Sequence, residues 1–224
     1  MKKTLKGNGL GLAFGLLFLA TLVAQSFAGW QEFNTQQASE GLVQLSWWRY
    51  VASADFGVDV AENWQSEFLQ FWLYLMATVW LVQRGSPESK ELGEEGRESD
   101  QDQMVGEHAE ETSPRWARVR GWRLRIYSRS LGYVMGTIFL LSWLVQSIAG
   151  RVSFNEERLE QLQGPVTWTD YITRADFWSR TLQNWQSEFL AVGSMAVLAI
   201  FLRQRGSSQS KPVGAPHSAT GVDG

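Results

Sequence analysis

The residues with the most chemical potential are two glutamates, Glu67 and Glu188, each carried in the same seven letters. Asn63-Trp64-Gln65-Ser66-Glu67-Phe68-Leu69 recurs letter for letter at 184–190. Apolar runs follow both, and an ionisable group at the edge of hydrocarbon is costly enough to suggest a function. Gln25 and Gln146 fall at comparable depth, so a candidate polar site contains Gln25, Asn63, Glu67, Gln146, Asn184 and Glu188. A Gln amide donating to a carboxylate ties two helices together for about 0.6 to 2 kcal/mol in a membrane. Two Gln and two Glu around a pseudo-two-fold axis would also suit a cation or a polar solute. The plainer reading leads. It puts both glutamates in the first turn of their helices, where the helix dipole favours an anion and water reaches it. As independent caps, their replacement by Gln should be additive; as a shared site, the two replacements should couple.

Other chemistry is sparse. The 224 residues contain no Cys and two His, His108 and His217, both in polar stretches. Disulfides, thiolate catalysis, Cys-ligated metal, His-ligated haem and a Ser-His-Asp centre therefore find no support, and no cofactor is expected.

The elements that carry these residues come in two copies. Laying 10–90 on 131–211 without a gap makes 30 of 81 positions identical, and such a repeat governs the reading of the whole chain. A basic start (Lys2, Lys3, Lys6) precedes an uncharged run over 7–31 that is long enough to cross about 30 Å of hydrocarbon. A signal peptide cut before Gly29 is the rival reading. The aligned run over 131–150 ends in the same Gln-Ser-x-Ala-Gly mid-chain, which favours a retained first span. Between spans, Trp47, Tyr50, Val51 and Ala54 lie at helical spacing, as do Trp168, Tyr171, Ile172 and Ala175. Both sets predict short aromatic helices lying in the membrane interface. Asp55 and Asp176 then read as N-caps, and Arg84-Gly85 and Arg205-Gly206 as helix stops.

The expected architecture is an all-α membrane protein: four transmembrane helices from two parallel tandem two-helix repeats, with short interfacial helices. Unit one is 1–90, with spans at about 9–29 and 64–83. A linker at 91–114 follows, read as disordered because the stretch over 86–113 holds ten acids against Lys90 and Arg97. Unit two is 115–211, with spans at about 130–149 and 185–204, and 212–224 is a Gly/Pro/Ser-rich tail read as disordered. The start of unit two is basic, with Arg115, Arg118, Arg120, Arg123, Arg125 and Arg129 around Trp116 and Trp122. Beside a membrane this suits anionic lipid at the cytoplasmic face better than nucleic acid. The Lys/Arg bias puts both termini and the linker in the cytoplasm, although four Arg between the last two spans oppose it. Gly11/Gly15 and Gly132/Gly136 form small-residue faces suited to helix packing within the monomer.

The Asn-Trp-Gln-Ser-Glu-Phe-Leu motif, the preceding Gln-Ser-x-x-Gly, and Phe-Leu-Arg-Gln-Arg-Gly-Ser-x-x-Ser-Lys at 201–211 resemble an uncharacterised bacterial integral-membrane family, a domain of unknown function. Copy one departs from the last motif with Leu81-Val82 before Gln83. The resemblance implies a bacterial inner-membrane protein of about four spans and brings no activity or functional residues. A structural or interaction protein of the envelope leads, followed by a small-solute or ion transporter or channel subunit. A membrane-embedded enzyme comes last, for want of a catalytic set.

Overall fold

The computed structural model describes residues 7–222. Lys2, Lys3 and Lys6 and the last two residues of the tail lie outside them. Among the described residues the chain is all-α. Four long helices, α1 (Gly9–Ser39), α3 (Ala54–Trp80), α5 (Ser130–Glu160) and α7 (Ala175–Phe201), are joined by short ones. The short helices are α2 (Trp47–Val51), α4 (Trp122–Tyr127) and α6 (Trp168–Tyr171), with one 3-10 turn at Gly106–His108. Two helices, α1 and α5, are long and apolar enough to cross a membrane. Each has 31 residues, about 46 Å at the helical rise.

The chain divides into two compact units. One is Met1–Ala61 with Val145–Ile172, and the other is Glu62–Leu144 with Thr173–Gly224.

In the first unit each long helix ends in a corner, and the corners share their chemistry. Gly41 follows α1 with φ 73°, and Leu162 follows α5 with φ 59°. The amides of Leu42 and Gln163 reach back to the carbonyls of Gln37 and Arg158, at 2.8 and 2.7 Å, closing a Schellman end. The chain then runs extended past an asparagine. The Asn34 carboxamide accepts from Leu45 N at 2.8 Å and donates to Leu45 O at 2.9 Å. Asn155 does the same with Val166, at 2.8 and 3.1 Å. The Trp47 indole N–H donates to the Ser26 hydroxyl at 3.2 Å, and Trp168 donates to Ser147 at 3.0 Å.

Tyr50 and Tyr171, 3% and 1% exposed, plug the space beneath. Each needs a glycine opposite. A methyl group on Gly150 would sit 2.5 Å from the Tyr171 hydroxyl and 3.3 Å from Val58, and Tyr50 occupies the matching place over Gly29. Burial, with Asp59, Asp55 and Glu32 adding negative charge, pushes the Tyr50 phenol up to about 12, so it stays protonated.

Four expectations about helix ends change. Asp55 and Asp176 lie inside the first turns of α3 and α7 and are not N-caps. Ser53 takes that role for α3, its hydroxyl accepting from Phe56 N at 3.4 Å, while Arg174 stands at the start of α7. Asp55 instead accepts from Ser153 at 2.7 Å, and Asp176 pairs with Arg180 at 3.7 Å. Ala54 and Ala175 open the following helices and do not continue α2 and α6. The glycines of Arg84-Gly85 and Arg205-Gly206 do not end helices. α3 stops at Trp80 and α7 at Phe201, and Gly85 and Gly206 take φ 86° and 83° in separate turns closed by Ser86 N to Gln83 O and Ser207 N to Gln204 O. Finally, α3 and α7 start well before the repeated motif, because a buried face runs through their polar halves: Val58, Ala61, Gln65 and Leu69 in α3, and Phe177 and Thr181 in α7.

The tyrosine and glycine should be inseparable. Gly→Ala inside a helix ordinarily gains about 0.5 to 1 kcal/mol. Gly150→Ala should instead cost about 1 to 3 kcal/mol by overpacking. In a Tyr171→Phe background the cost should shrink, since the hydroxyl in the way is gone. Equal costs in both backgrounds, by thermal or denaturant unfolding, would contradict the plug.

Candidate functional site

The second unit gathers the repeated motif. Its packing starts with Gly132 and Gly136 on α5, where added methyl groups would meet Met76 at 2.6 Å and the Trp72 indole at 2.9 Å. This close approach lets an aromatic series build. Phe139 stacks on Trp72 and Trp143 with centroids 6.3 and 5.7 Å away, and Trp143 meets Phe177, Trp178 and Trp185 at 6.2, 6.0 and 5.7 Å. Gln65, wholly buried, sits beside this series. Its carbonyl accepts the Trp185 indole N–H at 2.7 Å, and its amide donates to Glu62 O at 3.0 Å. A buried amide must find such partners or lose about 1 to 3 kcal/mol.

The identical motifs thus occupy different surroundings. In copy one Gln65 and Ser66 are buried, whereas Gln186 and Ser187 are exposed. In copy two Trp185 is half-buried, whereas Trp64 is 40% exposed. Both serines donate to the asparagine carbonyl three residues back, at 2.9 and 2.8 Å. Glu67 is exposed; Glu188 is half-buried, near the Ser66 hydroxyl and within Coulombic reach of Glu67.

Neither glutamate is in a first turn. Both are the fourteenth residue of 27-residue helices, where no free N–H groups or dipole end can favour an anion. The structure places Glu188 within Coulombic reach of Glu67, with Asn63 exposed and Asn184 half-buried on the same helices. Gln25 and Gln146 belong to the other unit, the first exposed and the second 1% exposed. Gly11 and Gly15, unlike Gly132 and Gly136, have nothing within 4 Å of an added methyl group.

All six arginines of the basic segment are exposed. Arg120 pairs with Glu107 at 2.7 Å, Arg118 donates to Ser113 O at 2.9 Å, and Arg123 lies 5.4 Å from the centre of the Trp122 ring.

Chemically, the two carboxylates offer acceptors for a cation or a polar group, while Gln65 is already bonded on both sides. Among the described residues no cluster of three or more His, Cys, Asp or Glu could hold a metal ion.

A family model described as a domain of unknown function, DUF6766, matches residues 1–222. The chain belongs to that family. No curated protein matches the chain, and no solved structure does. Membership brings no assigned chemistry, so the site rests on geometry alone.

Sequence reasoning missed Gln65, Trp185 and Trp143 as partners, although Gln65 and Trp185 stand within the repeated letters. It also missed the pairings of Ser26 with Trp47 and of Asn34 with Leu45. A column-by-column comparison of the copies marks Ser26, Asn34 and Trp47 as identical to Ser147, Asn155 and Trp168. It could not say what they touch.

Because Glu188 lies within Coulombic reach of Glu67, Glu67→Gln and Glu188→Gln should be non-additive in unfolding free energy by more than about 0.5 kcal/mol, either replacement relieving the same repulsion. Additivity within that limit would return the pair to independent, solvated groups.

Proposed function

We propose that the protein is a four-span protein of the bacterial inner membrane, built from two parallel tandem two-helix units and serving as a structural or interaction component of the envelope. The observation that carries this reading is α1. Its most apolar window has a mean hydropathy of 1.9 and is 6% buried, and Leu10, Phe14, Leu16, Leu17 and Leu19 are each more than half exposed. Such a face is unstable in water and stable in lipid. In this reading α3 and α7 supply the other two spans through their apolar halves after Phe68 and Phe189. The beginnings of α3 and α7, the far ends of α1 and α5, and the tyrosine-plugged corners then project on the outer side. The six-arginine segment, with Trp116 and Trp122 exposed beside it, lies against anionic lipid at the cytoplasmic face, and both termini are cytoplasmic.

A transporter or channel subunit is the second reading, favoured by one observation: a half-buried Glu188 within Coulombic reach of Glu67 in a single unit. An enzyme stands last.

The protein should stay with membranes through alkaline carbonate washing. Protease should cut the 91–114 linker in inside-out vesicles and spare it in intact cells stripped of their outer membrane. Release by carbonate would end the membrane reading, and cleavage from the outside would reverse the topology. Solute flux into liposomes that is lost in Glu67→Gln/Glu188→Gln would promote the second reading over the first.

A further inference from the structure

The motif Gln-Arg-Gly-Ser-x-x-Ser-Lys closes both copies at 83–90 and 204–211 and folds each time into the same loop. The Gln83 amide donates to the Ser89 hydroxyl and the Gln204 amide to the Ser210 hydroxyl, both at 2.9 Å. Each serine then donates to the carbonyl of the lysine that follows. The lysines differ. Lys90 donates to Gly96 O at 2.8 Å and pairs with Glu98 at 2.7 Å, with a quarter of its side chain exposed. Lys211 is 1% exposed, and no carboxylate pairs with it among the described residues.

Four backbone carbonyls surround the Lys211 ammonium: Gly85 at 2.7 Å, His217 at 2.9 Å, Ala219 at 3.1 Å and Pro216 at 3.2 Å. One belongs to the loop after α3 and three to the chain's C-terminal segment. Further bonds run alongside. Gly85 N donates to the Thr220 hydroxyl at 2.9 Å, Gly221 N to Ser86 O at 3.1 Å, and the Arg203 guanidinium to Ala215 O at 2.9 Å. The His217 ring reaches the Ile200 carbonyl at 3.0 Å and packs on Phe201. Composition alone suggests disorder for 212–224; as far as residue 222, the segment runs as turns held by these bonds.

We infer that residues 212–221 form a strap that fastens the end of α3 to the end of α7, with the Lys211 ammonium as its pin. The strap also lines a cleft that is open to solvent. Thr220 and Gly221 form one wall of a cavity of about 640 Å³ whose other walls are Thr78, Pro87, Glu88, Ser89, Lys90, Glu91 and Glu94. The pin is suited to release. An ammonium has three protons for these four carbonyls, so every donor is used while the strap is down. Yet among the described residues its charge is balanced by dipoles alone, and a buried cation held in this way gains from returning to water. Lifting the strap exposes Lys211, removes one wall of the cleft and frees the two helix ends to part. Lys90, tied to Glu98 in its own loop, performs no such duty.

The absence of cysteine makes the test clean. Spin labels at Arg84→Cys and Ser218→Cys, both exposed positions, report the distance between loop and strap in the full chain, in detergent and in nanodiscs. In the otherwise unaltered protein the distance distribution should be single and narrow. Lys211→Met should broaden it and shift it to longer distances, and Lys90→Met should leave it narrow. Should Lys211→Met fail to fold, Thr220→Val, which removes only the acceptor of the Gly85 amide, should broaden it partway. A broad distribution before any substitution, no change with Lys211→Met or Thr220→Val in folded protein, or equal broadening by Lys90→Met would overturn the strap. None of these outcomes depends on whether the protein spans a membrane.

Discussion

A helix that ends and turns back leaves backbone N–H and C=O groups without partners, and two asparagine carboxamides answer them here. Asn34 and Asn155 each present one acceptor and one donor to a single extended residue, Leu45 or Val166, as a neighbouring strand would. Everything in the two corners follows from that clasp. Once Leu45 or Val166 is held, Trp47 and Trp168 come within reach of Ser26 and Ser147, about two turns back along the helix from the asparagine. Tyr50 and Tyr171 then fill the space over Gly29 and Gly150. Aspartate could accept at either position but not donate, and leucine could do neither.

The corners also explain why the next helices begin where they do. The chain leaves α2 at Ala52 and α6 at Ile172 with almost no linker. The beginnings of α3 and α7 are therefore dictated by the corners and not by the apolar run. Asp55 illustrates the consequence. It is spent on Ser153 of α5, a contact between residues of different copies that capping rules could not anticipate.

Much of the architecture was legible because helical periodicity and repeated letters are properties of the chain itself. The all-α class, the long apolar helices α1 and α5 and the short helices at Trp47 and Trp168 came from those signals. The boundaries of α3 and α7 did not. Their first halves are rich in polar residues, and the buried stripe of Val58, Ala61, Gln65 and Leu69 contains a glutamine that hydropathy counts as exposed. Gln65 is buried because Trp185, some 120 residues away, donates to it, and no local pattern encodes that partner. The same limit left a shared site of Glu67 and Glu188 as the lesser of two readings. Two identical motifs look equivalent as letters, and only packing makes one copy supply the glutamine and the other the indole. The strap was hidden by composition, since its Gly, Pro and Ser residues are held by Lys211, Arg203 and Gly85 from outside the segment.

The asparagine clasp is open to direct measurement. Amide hydrogen exchange should find Leu45 and Val166 protected far beyond their exposed neighbours Val43 and Gly164. Asn155→Ala should speed exchange at Val166 by at least about tenfold, the equivalent of roughly 1.4 kcal/mol, while leaving Leu45 unchanged. Unprotected exchange at Leu45 and Val166 in the unaltered protein, or a Val166 rate indifferent to Asn155→Ala, would contradict the account at its foundation.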